Sequence, residues 1–263
     1  MPQPTIIRLR EEIERENKSS SVVVVGAGDC LRLENLVCVD AEGKEFERYD
    51  TLYVAKDVVR NGTTHRSFTP YQAITHFEQE GKGFFVPSFS LSCNILAALY
   101  AHKDIPEAHA VLQQYKNHGA GNGWQAQNTV VDWKRRRIIH YPLPADFPED
   151  GGSGPINGNR SIRIFPFVVE NFADVELANL SPAQRVFTQN LTGLQDFTVL
   201  SEIGVYFGKP AKEWVPSNAQ AAEYTSAAWL GCIYDSLILY ANSNLGNVNA
   251  ARGVRVVSPA GAP

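Results

Sequence analysis

Three helical signals follow one another between Thr69 and Asn117, and strand-type runs lie on both sides of them. Thr69 stands as N-cap before Pro70, a residue suited to the first helical position, and Gly81-Lys82-Gly83 ends that segment. Ser88 or Ser90 caps a second helix that runs to about His102, with Leu91, Ile95, Leu96 and Leu99 on one face. Pro106 to Asn117 gives a third, closed by His118-Gly119. Before them, Ser21-Val22-Val23-Val24-Val25 is a β-branched run, and Leu31 to Val39 and Glu45 to Val54 alternate around a turn at Ala41 to Lys44. After them, Gln127 to Trp133 and Arg137 to Tyr141 pair around Lys134-Arg135-Arg136. Ile162 to Glu170 is a strand, Pro182 to Leu191 is helical, and Phe197 to Phe207 mixes short extended pieces. Residues 142 to 160 form a Pro/Gly-rich loop, and Tyr224 to Val257 is β-rich with Asn/Gly turns. Strands, helices, then strands again is the α+β pattern. Residues 5 to 18 add a short amphipathic helix, so the first 60 residues read as a small N-terminal helix-and-strand unit ahead of a domain over 61–263.

Composition narrows the function classes. The chain has 263 residues and a net charge of −4, which argues against nucleic acid as the main partner, since phosphate binding needs a basic face. No apolar stretch approaches the roughly 18 residues of a membrane span, so no membrane insertion is expected. Met1-Pro2-Gln3-Pro4 does not open a signal peptide. Four cysteines do not make a disulfide scaffold, and reduced thiols are expected.

Residues with chemical potential are few. Gly26-Ala27-Gly28 follows a strand, but Leu31 stands where a third glycine would be needed and another strand follows, so a turn is favoured over a dinucleotide site. No zinc-type spacing occurs among the histidines and cysteines. Cys93 lies in the first turn of a helix, where the macrodipole favours a thiolate. With His118 or His140 and Asp132 downstream, the order suits a papain-like cysteine hydrolase. The competing account makes Cys93 a small buried residue between Leu91 and Ile95.

The tail is the most informative segment. AAEYTSAAWLGCIYDSLILYANSNLGNVN is followed by Ala251-Arg252-Gly253-Val254-Arg255-Val256-Val257. This resembles the closing strands of the C-type lectin fold in formylglycine-generating-enzyme-like proteins, and most of all the variable proteins of diversity-generating retroelements. The likeness covers about 40 residues, and more loosely the helices near 69 to 117. It implies a C-type-lectin-like fold with two helices and short twisted antiparallel strands. In that family template adenines are mutated, giving codons that never encode Lys, Glu, Gln, Met or Trp. These types make up 42 of the 263 residues, yet none occurs in the 34 from Leu230 to Pro263. A short buried strand pair without charges would show the same gap.

The resemblance implies non-enzymatic recognition of a protein or glycan ligand, through a variable region at about 229–251 and without a cofactor. Its contact residues would be Cys232, Tyr234, Asp235, Ser236, Leu237, Leu239, Tyr240, Asn242, Asn244, Asn247 and Asn249. Tyrosines supply amphipathic contact area at low entropic cost. Asn247 and Asn249 could equally cap turns around Gly246. Trp214 and Trp229 are expected in the core, with Arg252 and Arg255 anchoring the last strand by salt bridges. A homo-oligomer fits this reading, as does assembly into a viral particle or on a cell surface.

Overall fold

The computed structural model describes residues 22–24, 29–116, 124–142, 161–168, 175–215, 225–233, 236–243, 245 and 249–256. The early alternating runs are strands: β1 (Val22–Val24), β2 (Cys30–Val39) and β3 (Glu45–Ala55), paired antiparallel in that order. On β2 the buried positions are Leu31 and Leu33, then Leu36 and Cys38. The change from odd to even falls at Asn35, whose φ of 56° is left-handed, a conformation asparagine tolerates better than most residues. A two-residue pair, β4 (Arg60–Asn61) and β5 (Thr64–His65), follows. The expected helix at 5–18 and the Gly26-Ala27-Gly28 turn lie outside the described residues. The next element after β1 is a strand paired back onto it, which removes the dinucleotide reading.

Three helices come next. In α1 (Pro70–Glu80), Thr69 and Gln72 complete a reciprocal capping box. Ser88 caps α2 (Phe89–Ala101) by accepting from the Leu91 amide. α3 spans Pro106–Lys116. From Phe89 to Leu96 every residue of α2 is buried, as befits a helix enclosed on all sides. Its polar residues are bonded internally. Asn94 Nδ2 donates to the Ser90 carbonyl at 2.9 Å, and Ser92 Oγ bonds Gln127.

The second sheet holds most of the later strands, in the order β8-β7-β6-β11-β12-β10-β9. These are β6 (Trp124–Asp132), β7 (Arg137–His140), β8 (Arg163–Pro166), β9 (Val175–Glu176), β10 (Ala211–Trp214), β11 (Thr225–Ile233) and β12 (Ser236–Ser243). β10 and β12 run parallel; the other pairings are antiparallel. Two more helices, α4 (Pro182–Thr192) and α5 (Thr198–Phe207), lie between β9 and β10.

Several expectations change. The fold is mixed α+β, but five α-helices are present among the described residues rather than two. Phe197–Phe207 is not extended. Leu200, Ile203, Gly204 and Phe207 are buried at helical spacing, and Gly208 closes the helix at φ 74°. The parallel strand β10 carried no sequence signal strong enough to separate it from a loop. Residue 60 is not a boundary in the packing either: β13 (Val254–Val256) pairs antiparallel with β3, Val254 opposite Val54, and one apolar core runs from Leu31 to Val254.

Arg252, just before β13, ties these layers together. Its guanidinium is buried and donates to the Ala55 carbonyl and to Gln114 Oε1, both at 2.5 Å, and to Gln125 Oε1 at 3.3 Å. It lies 5.7 Å from the Tyr115 ring centre. Anchoring is thus by neutral acceptors on β3, α3 and β6, not by a salt bridge. Arg255 is held differently, over the rings of Phe84 at 5.1 Å and Tyr53 at 5.6 Å. Gly253 permits the close approach between them: a Cβ there would fall 2.7 Å from the Phe77 ring and 2.9 Å from that of Phe84.

Two buried titratable groups set the pH response. Burial pushes the Glu213 carboxyl up to about 8, against the lowering effect of the Thr188 hydroxyl. Thr188 Oγ1 donates to the Gln184 carbonyl at 2.8 Å and lies 3.0 Å from both carboxyl oxygens, an arrangement suited to a protonated Glu213 donating back. Burial lowers His140 to about 4. Unfolding releases the Glu213 proton above its ordinary 4.5, so this group lowers stability as pH rises from 4.5 to about 8. Unfolded His140 takes up a proton below 6.5, so that group lowers stability as pH falls from 6.5 to about 4. The two slopes offset between 4.5 and 6.5, and only that of Glu213 remains above.

Urea unfolding from pH 6.5 to 8 should therefore show wild-type stability falling by up to about 1.4 kcal/mol per pH unit, with the slope abolished in Glu213→Gln. Parallel slopes in the two proteins would refute this assignment. Arg252→Ala should lower stability by about 3 kcal/mol or more, through unsatisfied acceptors and an unfilled space. Gly253→Ala should also destabilise, by overpacking worth about 1–3 kcal/mol. Thermal melts of both variants measure these effects.

Candidate functional site

The β11–β12 hairpin sorts the expected contact residues by register. Leu230 pairs with Leu239 and Cys232 with Leu237, and all four, with Ala241, join the core beneath the helices. Cys232, Leu237 and Leu239 have no exposed surface, so the structure removes them from any contact surface. Alternation fills one side of β12 with apolar packing, and burial pushes the Cys232 thiol up to about 11. Trp229 pairs with Tyr240 on the other face and is itself buried. Ser236 is buried too, while Tyr240 and Asn242 are half-buried; burial raises the Tyr240 phenol above its ordinary value. Tyr234, Asp235, Asn244 and Asn247 lie outside the described residues.

Asn249 connects the tail to a groove on α1. Its backbone exchanges two hydrogen bonds with Phe68, at 2.7 and 2.8 Å. Ala73, Ile74 and Phe77, on the inner face of α1, pack with Phe68, Val86, Ala126 and Ala251. The opposite face, with the residues leading into it, borders a cavity of about 390 Å³ lined by Arg66, Phe68, Tyr71, Thr75, His76 and Gln79 among others. The Arg66 guanidinium stands 4.9 Å over the Phe68 ring. The His76 ring stacks on Phe68 with centres 5.0 Å apart, and its Nε2 lies 3.4 Å from Glu80. Burial holds His76 below its ordinary pKa, with Glu80 acting the other way. His76 Nε2 faces Glu80, whereas among the described residues Thr75 Oγ1 and Asn249 Nδ2 are buried atoms without a hydrogen-bond partner. Such atoms each cost about 1–3 kcal/mol. Sequence reasoning named Asn249 but missed Arg66, Thr75 and His76. The Thr69-Pro70 cap revealed the helix, yet no spacing shows which polar side chains of a helix will be shielded.

The hydrolase arrangement is not formed. Cys93 is wholly buried and its thiol is pushed well above the ordinary range by burial. Both ring nitrogens of His140 are engaged elsewhere: Nδ1 with Thr129 Oγ1 at 2.8 Å, and Nε2 with the Asn190 carbonyl at 3.0 Å. Asp132 accepts from Arg135 and Arg137 at 3.0 and 3.1 Å. His118 lies outside the described residues. Cys30, Cys38, Cys93 and Cys232 are all free thiols. Among the described residues, no group of three or more His, Cys, Asp or Glu side chains is placed to hold a metal ion. No helix there is long and apolar enough to cross a membrane.

No protein-family model, no curated protein and no solved structure matches this chain.

Thiol labelling of the native protein at neutral pH should modify Cys30, the half-buried cysteine, and leave Cys38, Cys93 and Cys232 unmodified until denaturant is added. Rapid native labelling of Cys93 would restore the hydrolase reading.

Proposed function

We propose that this is a non-enzymatic recognition protein on a C-type-lectin-like scaffold, and that it binds a glycan where the tail meets α1. One observation carries the proposal. The tail residue Asn249 is bonded through its backbone to Phe68, which lines the groove beside Thr75, whose buried hydroxyl has no partner among the described residues. A ligand rich in hydroxyl groups would satisfy that hydroxyl, and Arg66 with Gln79 would supply further directional contacts. Tyr71 offers a partly exposed ring at the same cavity, the amphipathic kind of surface that polar ligands with apolar faces use.

The tail supports the retroelement likeness in its order of elements. The Trp229-bearing strand precedes a closing Gly253-Val254-Arg255-Val256 segment, as in that likeness, with the strand β12 standing between them. Diversified positions would be those whose side chains leave the core free: Tyr240, Asn242 and Asn249 among the described residues. The Ala251-Arg252-Gly253-Val254 segment, buried throughout, would stay constant as the frame.

A glycan array probed with the wild-type protein and with Arg66→Ala/His76→Ala tests the proposal. The expected result is saturable binding to a restricted set of glycans, weakened about tenfold or more in the variant with an unchanged melting temperature. Absence of glycan binding, or equal binding by both proteins, would overturn it. The coding region offers a second check on the diversification reading: a near-copy of the tail's sequence differing at adenines, beside a reverse transcriptase gene.

A further inference from the structure

The α1 groove carries one charge that the described residues do not balance. Arg66 lines the groove and is exposed there. Its side chain meets no carboxylate among the described residues. What it does meet is the ring of Phe68, whose centre lies 4.9 Å from the guanidinium carbon. A contact of that kind holds the planar group against the ring face and leaves its N–H donors free at the edge. The backbone behind it is fixed. The Arg66 amide donates to the Val59 carbonyl at 3.0 Å, and Phe68 exchanges its two bonds with Asn249.

The neighbouring charges are already matched. Arg60, opposite His65 across β4 and β5, is held by Asp57. Glu80 does not line the cavity, and it lies 3.4 Å from His76 Nε2 and 3.9 Å from Lys82 Nζ. No carboxylate stands among the described lining residues, where Ser67, Gln72, Thr75 and Gln79 are neutral. The positive field reaches His76: burial lowers its pKa, Glu80 raises it, and Arg66 and Lys82 each lower it. The cavity thus joins neutral hydrogen-bonding groups to one fixed, unmatched cation. Its volume of about 390 Å³ lies within the usual range for small-molecule sites, about 300–1,000 Å³.

We infer that the glycan bound here is acidic, a sugar whose carboxylate meets the Arg66 guanidinium. This rests on the glycan reading above and adds the ligand's charge to it. The guanidinium edge offers paired N–H donors that match the two oxygens of a planar carboxylate. A cationic sugar would be repelled, and a neutral one would leave the guanidinium to water. A sulfate ester shares the negative charge but not the planar geometry. Because Arg66 is exposed, added salt should screen the attraction.

Calorimetric titration of the whole chain with matched glycans provides the test: oligogalacturonides against their methyl esters, sialyllactose against lactose, and a sulfated oligosaccharide against its desulfated form. In at least one carboxylated pair the acid should bind about tenfold or more tighter than its neutral partner. That advantage should shrink as sodium chloride is raised and vanish in Arg66→Gln, whose fold is checked by circular dichroism. If the variant does not fold, the matched pairs and the salt series on the wild type decide. Binding of neutral glycans with no preference for acids would overturn this inference and leave the glycan reading standing, whereas no binding of any glycan would overturn both. Tighter binding of the sulfated glycan than of every carboxylated one, or an Arg66→Gln protein that keeps its preference for the acid, would also overturn the inference.

Discussion

A guanidinium without a buried carboxylate holds this fold together. Arg252 is desolvated, which lowers its pKa, and it is compensated by oxygen atoms from three different elements. Charge-assisted bonds to neutral acceptors are stronger than neutral ones, and each of these spans a long stretch of sequence. The Ala55 carbonyl ends β3, Gln114 belongs to α3, and Gln125 belongs to β6. Gln114 also donates to the Lys56 carbonyl at 3.0 Å, so the side chain that receives Arg252 is itself fastened to the end of β3. The packing of α1 on Ala251 and the fit of Gly253 against Phe77 and Phe84 follow from the same anchoring.

Much of the architecture was legible where local signals are strong. Thr69-Pro70 and Ser88 announce helices because cap chemistry is decided within four residues. The strands around 31–54 were visible because one face of each is apolar, and those around 127–141 because two β-type runs flank the Lys134-Arg135-Arg136 turn. What failed was long-range. The alternation of β2 and β3 says nothing of a fourth strand arriving from residue 254. The helix at 198–207 was missed because Thr198, Val199, Ile203 and Val205 favour strands locally, while its burial at i, i+3, i+4 and i+7 shows only once packed. For the site, Tyr, Ser and Asn in the tail raised the expectation of a contact surface there. Register then sent Cys232, Leu237 and Leu239 inward, and no composition argument supplies that sorting.

The α1 groove takes its lining from one helix and the segment leading into it. It is supported from behind by Ala73, Ile74 and Phe77, which pack with Phe68, Val86, Ala126 and Ala251. Side chains positioned in this way need little rearrangement when a ligand arrives, and that lowers the entropic cost of binding.

The bond from Arg252 to Ala55 closes a loop of 197 residues. Loop-closure entropy rises slowly with length, by about 0.6 kcal/mol per doubling, but contacts of this separation slow folding more than they weaken stability. On the ribosome, the hairpin of β2 and β3 leaves the exit tunnel long before its outer strand has been synthesised. Until then the outer side of β3 is an open edge, with backbone groups able to pair with another chain. Between the birth of β3 and the arrival of β13 the nascent protein is most exposed to misassociation, and most in need of a chaperone's cover.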